Sequence, residues 1–235
     1  MGDANNAERN KTERIVEARL ALKQRFERRM AETPSVADSR PQGSGAANRH
    51  GMPAIPVGQT ETKKWPVLDL GIQPSIPRSE WHLELLGAVD HRTSLSFDDL
   101  LALPQIDDVS DFHCVTAWSR LNLAWRGVRF SELAALAGPS PKVEHVMCHA
   151  YDGYTTNVRL VEMMKPDVLL VYQVDGQPLP QEHGGPVRVI TPQLYAWKGA
   201  KWVSKIEFLE QHRLGFWEQR GYSDTAYPWR NDRYS

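Results

Sequence analysis

The sequence predicts an α+β fold built from mixed, partly barrel-like β-sheets and short helices. Three observations carry that expectation. Apolar alternation of period two recurs in short segments from residue 81 to residue 209, the pattern of half-buried strands. The helical stretches between them are short and do not alternate regularly with the strands, which argues against a doubly wound sheet. No internal repeat is present.

In chain order, residues 1–33 form a charged amphipathic helix, with the helical pattern clearest over 7–31. Ile15, Leu22, Phe26 and Met30 fall near one face, and charges of both signs fill the rest. A helix this polar needs a surface to pack on. It docks on its own domain, stays solvated, or meets a partner. Residues 34–61 read as a flexible linker. Pro34, Pro41, Pro53 and Pro56 among glycines, serines and alanines bury too little apolar surface to offset ordering. One domain is expected over 62–235.

Within it, residues 81–85 alternate as a strand. Ser96 and Asp99 resemble a capping box opening a short helix that Pro104 stops. Ser131 is the expected cap of a second helix over 132–137, closed by Gly138-Pro139. Strands follow over 143–149, 154–158 and 168–174, with a short helix at 161–164. Asp175-Gly176 signals a hairpin turn. Residues 187–191 and 202–209 complete the strands. The last segment has no period but carries Phe216, Trp217, Tyr222, Tyr227 and Trp229, so it should wrap the domain as ordered coil with buried aromatic anchors.

Several classes are excluded by composition. Lys plus Arg number 28 and Asp plus Glu 29 in 235 residues, a formal net charge of −1. That balance argues against gripping nucleic acid by its phosphates. No apolar run approaches the roughly 20 residues of a membrane span. Two cysteines cannot make a disulfide framework. Arg28-Arg29 is a twin arginine without the apolar segment of an export signal, and a cytoplasmic location is expected.

Three stretches can carry chemistry. Asp111-Phe112-His113-Cys114 leads into Arg120. Cys114 is either a buried small hydrophobe or a thiolate favoured by nearby cations, and a thiolate is a nucleophile or a soft metal ligand. Cys148 reads as core. The cysteines and histidines do not have zinc-site spacing. In Glu182-His183-Gly184-Gly185-Pro186-Val187-Arg188, two glycines allow close backbone approach and Arg188 can fork onto a phosphate. Tyr195-Ala196-Trp197-Lys198-Gly199-Ala200-Lys201-Trp202 offers ammonium groups and aromatic faces to a planar anion. Neither a standard nucleotide fingerprint nor a G-x-S-x-G is present.

Together these motifs resemble the sulfite oxidase-like molybdenum enzymes. The segment from His113 to Arg120, with Trp125-Arg126-Gly127-Val128, is similar to their cysteine segment. The segment from Glu182 to Arg188, with Leu194-Tyr195-Ala196-Trp197-Lys198, is similar to their pterin-holding half, and Gly215-Phe216-Trp217-Glu218 with Gly221-Tyr222 to the compact cytoplasmic branch. The resemblance implies a sulfite oxidase-type fold binding one molybdopterin with its molybdenum, and two-electron oxygen-atom transfer on sulfite or a small S-oxide or N-oxide. It implies Cys114 as the metal ligand and Arg120 as a substrate-binding arginine. It further implies that His183, Arg188, Trp197 and Lys198 contact the pterin or its phosphate, and that Lys63, Lys64 and Trp65 lie along the cofactor. A separate redox partner is implied as well. The competing reading is a non-catalytic module that keeps the fold and holds an anionic ligand or a protein. A thiol enzyme pairing Cys114 with His113 lacks an orienting third group.

Overall fold

The computed structural model describes residues 2–32 and 40–235. The elements are α1 (Gly2–Glu32), β1 (Gly43–Ala47), β2 (Pro53–Pro56), β3 (Thr60–Glu61), β4 (His82–Gly87), β5 (Thr93–Ser96), α2 (Phe97–Ala102), β6 (Gln105–Cys114), β7 (Trp118–Arg129), α3 (Phe130–Ala137), β8 (His145–Ala150), β9 (Thr155–Arg159), α4 (Leu160–Met163), β10 (Leu169–Val174), β11 (Gln177–Pro178), β12 (Arg188–Ile190) and β13 (Val203–Leu209). A six-stranded sheet runs β11-β10-β7-β3, with β6 also on β7 and β12 also on β10. A five-stranded sheet runs β5-β4-β13-β8-β9. Both are mixed: β3 lies parallel to β7 and β4 parallel to β13, while the other pairs are antiparallel. This is the expected α+β arrangement.

Local chemistry explains the elements. In β4, Leu83 and Leu85 are buried while His82 is exposed, a period-two strand with one face on the core. Ser96 Oγ accepts the Asp99 amide and the Asp99 carboxylate accepts the Ser96 amide, closing the capping box of α2. Helix α3 begins one residue before the expected cap. Phe130 is fully buried and its amide donates to Val168 O at 3.0 Å, so tertiary packing sets the start and Arg129 takes the N-cap without a side-chain bond. Gly138 ends α3 in the left-handed region, at φ 63°. The main core joins both sheets, and a smaller cluster of Leu123, Trp125, Leu169 and Val171 backs the β7–β10 pair.

Two expectations need revision. Residues 43–61, expected as part of a flexible linker, carry β1–β3; residues 34–39 of that stretch lie outside the described residues. Composition counts only what a segment can bury alone. Here the chain is held from outside: Gln42 N donates to Trp229 O at 2.8 Å, Trp229 Nε1 to Pro53 O at 2.6 Å, and Thr60 N to Ala117 O at 3.0 Å. The second revision concerns α1. It docks on its own domain, with Ile15 and Phe26 half-buried but Leu22 and Met30 exposed. Polar contacts rotate the docked face: Lys11 Nζ donates to Gly71 O and Thr12 Oγ1 to Leu70 O, each at 2.8 Å. The C-terminal segment is ordered coil, with Trp217, Tyr222 and Trp229 buried. Among the described residues, no helix is long and apolar enough to cross a membrane.

Candidate functional site

The β6–β7 hairpin places Cys114 at the head of a tight turn. Ala117 N donates to Cys114 O at 3.1 Å, and Ala117 takes φ 72° to reverse the chain. Gln59 Nε2, brought in beside β3, donates to the same carbonyl at 3.0 Å. Cys114 is 6% exposed, and its Sγ lies 3.1 Å from Thr116 Oγ1. Burial pushes the thiol pKa up, while the Thr116 hydrogen bonds and the charges of Arg19 and Arg233 pull it back.

Cys114 faces a cleft of about 820 Å³, counting the solvent at its mouth. Trp65 and residues 68–70 form one wall, and Trp118 and Thr116 the hairpin side. His183, Arg188 and Lys201 line the opposite side, Trp217 and Tyr222 come from the C-terminal coil, and Arg19 comes from α1.

The glycine pair is needed here for close approach. Gly184 adopts φ 105°, and a Cβ on it would lie 2.8 Å from Lys201 Cβ; one on Gly185 would lie 2.3 Å from Leu179 O. The turn they permit stacks His183 on Trp65 at 3.7 Å and 5°. Burial, then the charges of Arg188, Lys201 and Arg120, lower the His183 pKa to about 3, so the imidazole is neutral near pH 7.

Arg188 is 2% exposed and is held by carbonyls alone: Nη1 donates to His183 O at 3.0 Å and Nη2 to Gly199 O at 3.1 Å. Among the described residues its charge has no carboxylate partner, and burial lowers its pKa to about 10. Lys201 donates to Glu182 O at 2.6 Å, and burial, then Arg188, lowers its pKa to about 8. Lys201 belongs to the stretch whose lysines the sequence offers as ammonium groups to a planar anion, and it lines the cleft.

Other expected residues stand elsewhere. Trp197 lines the cleft, but Lys198 does not. The short helical turn Ala196–Lys198 sends the lysine inward, where its Nζ pairs with Glu218 Oε1 at 2.7 Å and donates to Asn157 O at 2.8 Å. Arg120 also lies off the cleft wall. It pairs with Asp175 at 2.7 Å, its guanidinium 5.4 Å from the Trp65 ring. Lys63 and Lys64 are exposed beside Trp65 and off the wall. His113 points away from Cys114, its Nδ1 at 2.8 Å from Ser119 Oγ, so a Cys114–His113 pair is not formed. Cys148 is fully buried in the core, its thiol pKa raised by burial to about 12.

These walls fit a molybdopterin. The cleft volume suits a cofactor-sized ligand, aromatic faces suit a planar ring, and a soft thiol lies in the wall. Three cations, Arg19, Arg188 and Lys201, stand against two carboxylates, Asp69 and Asp152, and burial raises the Asp152 pKa to about 6. Arg188, Lys201, His183 and Trp65 could hold such a group, and Cys114 could ligate its metal.

Comparison with known proteins agrees. Residues 70–217 match the family model of the oxidoreductase molybdopterin binding domain. The chain is 41% identical to the uncharacterized oxidoreductase YuiH of Bacillus subtilis, over 77% of this chain and 92% of that one. It is 30% identical to the protein-methionine-sulfoxide reductase catalytic subunit MsrP of Gluconobacter oxydans, over 59% of this chain and 50% of MsrP. It is 28% identical to mitochondrial sulfite oxidase of Rattus norvegicus, over 63% of this chain and 33% of that protein. In fold it is similar to the sulfane dehydrogenase SoxCD of Paracoccus pantotrophus, with a TM-score of 0.58 and 18% identity over 80% of this chain and 62% of that one. The motif order, the fold and the cation-lined cleft around Cys114 thus converge: the chain belongs to the oxidoreductase molybdopterin binding domain family, and molybdenum-bearing molybdopterin is its cofactor.

Proposed function

We propose that this protein catalyses two-electron oxygen-atom transfer at a molybdenum ligated by Cys114, acting on sulfite or on a small S-oxide or N-oxide. The observation that carries the proposal is Cys114 Sγ in the wall of a cleft that also holds Arg188 and Lys201. When bound, the cofactor supplies a redox centre that exchanges oxygen with the substrate. The protein's own residues do the rest. Cys114 must lose its proton to ligate a metal; the Thr116 hydrogen bonds and the Arg19 and Arg233 charges favour that loss against burial. Arg188 arrives pre-ordered by three carbonyls, so it can meet an anionic group with little further loss of side-chain freedom. The neutral His183, stacked on Trp65, offers a planar face and a hydrogen-bonding nitrogen rather than another charge. Trp65, Trp118 and Trp217 give the cleft apolar, aromatic walls.

A separate redox partner belongs to the same proposal, because net oxidation or reduction of a substrate needs electrons to leave or arrive. A cytoplasmic location belongs to it too, and two free cysteines suit a reducing compartment. The test is expression in a host that builds the cofactor, followed by metal and pterin analysis and assays with sulfite and with S-oxides using artificial electron carriers. Stoichiometric molybdenum with turnover of one substrate class, abolished in Cys114→Ser, is expected. Purified protein without pterin and without molybdenum would contradict the proposal.

A further inference from the structure

We infer that Arg19, carried on the N-terminal helix, forms an oxyanion subsite at the Cys114 end of the cleft and selects anionic substrates over neutral S-oxides. This rests on the oxygen-transfer reading above and narrows its substrate class.

Five observations lead there. Helix α1 meets the cleft through Arg19. It is pinned at one end by Lys11 and Thr12 on the carbonyls of Gly71 and Leu70, and at the other by Phe26, 5.3 Å from the Tyr234 ring. Arg19 lies between these anchors on the docked face, half-buried, and lines the cleft. Arg19 stands within electrostatic reach of Cys114. Its donors are uncommitted: among the described residues, Arg19 makes no hydrogen bond or ion pair. The other candidate cations are engaged. Arg120 is paired with Asp175 off the wall, Arg188 donates to three backbone carbonyls, and Lys201 donates to Glu182 O.

A free guanidinium offers a planar fork of donors that matches two oxygens of a sulfite-like anion. A neutral S-oxide presents one acceptor oxygen and no net charge, so it gains far less from the same fork. Arg19 also precedes residues 70–217, so this subsite is added to the family domain from outside it.

Inorganic sulfate, an oxyanion that cannot be oxidised further, is the probe. Wild type, Arg19→Gln, Arg19→Lys and the solvent-face control Arg14→Gln are purified as holoenzymes and titrated with sulfate. Tryptophan fluorescence reports binding, since Trp65, Trp118 and Trp217 line the cleft. Arg19→Gln should weaken sulfate binding about tenfold, as expected for losing one charge-assisted contact. Arg19→Lys should recover part of it, and the control Arg14→Gln should bind sulfate as wild type does. Pterin and molybdenum content should stay at the wild-type level in all four. In turnover, the KM for sulfite should rise in Arg19→Gln while that for dimethyl sulfoxide holds. Sulfate affinity within about twofold of wild type, or a parallel loss of pterin showing that Arg19 anchors the cofactor instead, would overturn the inference. Wild-type protein lacking the cofactor would count against the oxygen-transfer reading, while the sulfate titration would still decide the fate of the subsite.

Discussion

Replacing Glu218 with glutamine leaves Lys198 charged in a site that excludes water. Both side chains are fully buried, and Lys198 Nζ stands 2.7 Å from Glu218 Oε1. Glu218 Oε1 also accepts Thr156 Oγ1 at 2.9 Å and Trp197 Nε1 at 3.2 Å. Glutamine keeps the shape and one acceptor oxygen, so the main loss is the carboxylate charge. Removing one partner of a buried pair costs about 3–5 kcal/mol, because the remaining ion is uncompensated. The low end applies, since Asn157 O still accepts from Lys198 at 2.8 Å and Asp224 lies 3.9 Å away. About 3 kcal/mol lowers the melting temperature by roughly 6–12 °C in a chain of this size. The double variant Lys198→Met/Glu218→Gln removes both charges and should regain most of that loss. Urea unfolding of the cofactor-free protein measures each corner of the cycle. A Glu218→Gln cost below about 1 kcal/mol, or a double variant as unstable as the sum of the singles, would show that Lys198 and Glu218 are not coupled and would return Lys198 to the candidates for cofactor contact.

Two further outcomes follow from the cleft. Gly184→Ala puts a side chain at φ 105° and 2.8 Å from Lys201 Cβ, so it should cost about 1–3 kcal/mol in unfolding experiments and reduce retained pterin on purification. Lys201 titrates near 8 when folded against 10.5 ordinarily, so between those values the folded chain binds fewer protons than the unfolded one and stability rises with pH. The difference in stability between wild type and Lys201→Met should therefore change across pH 8 to 10.5 and stay level below it; a pH-independent difference would refute the lowered value.

Much of the cleft was legible because its signals are local. The turn after Cys114, the Gly184-Gly185 pair and Arg188 lie within short motifs whose chemistry is set by neighbours a few positions away. Lys198 shows the limit. Its partner Glu218 is distant in the chain, and no spacing rule predicts that a lysine beside Trp197 turns inward. Arg19 was hidden for the same reason: on a helix covered in charges, only docking distinguishes the one arginine that meets the cleft. The hairpin at 43–56 was misjudged because its order comes from Trp229, near the other end of the chain. Period-two alternation located most of the strands, yet the parallel pairing of β4 with β13 is a long-range property that no local pattern carries.

The central claim is that Cys114 Sγ ligates the molybdenum. X-ray absorption at the molybdenum edge, on holoenzyme and on Cys114→Ser loaded with the same pterin, tests it without relying on turnover. The account predicts one sulfur neighbour fewer in the variant, with an oxygen or nitrogen in its place. An unchanged sulfur count would contradict it.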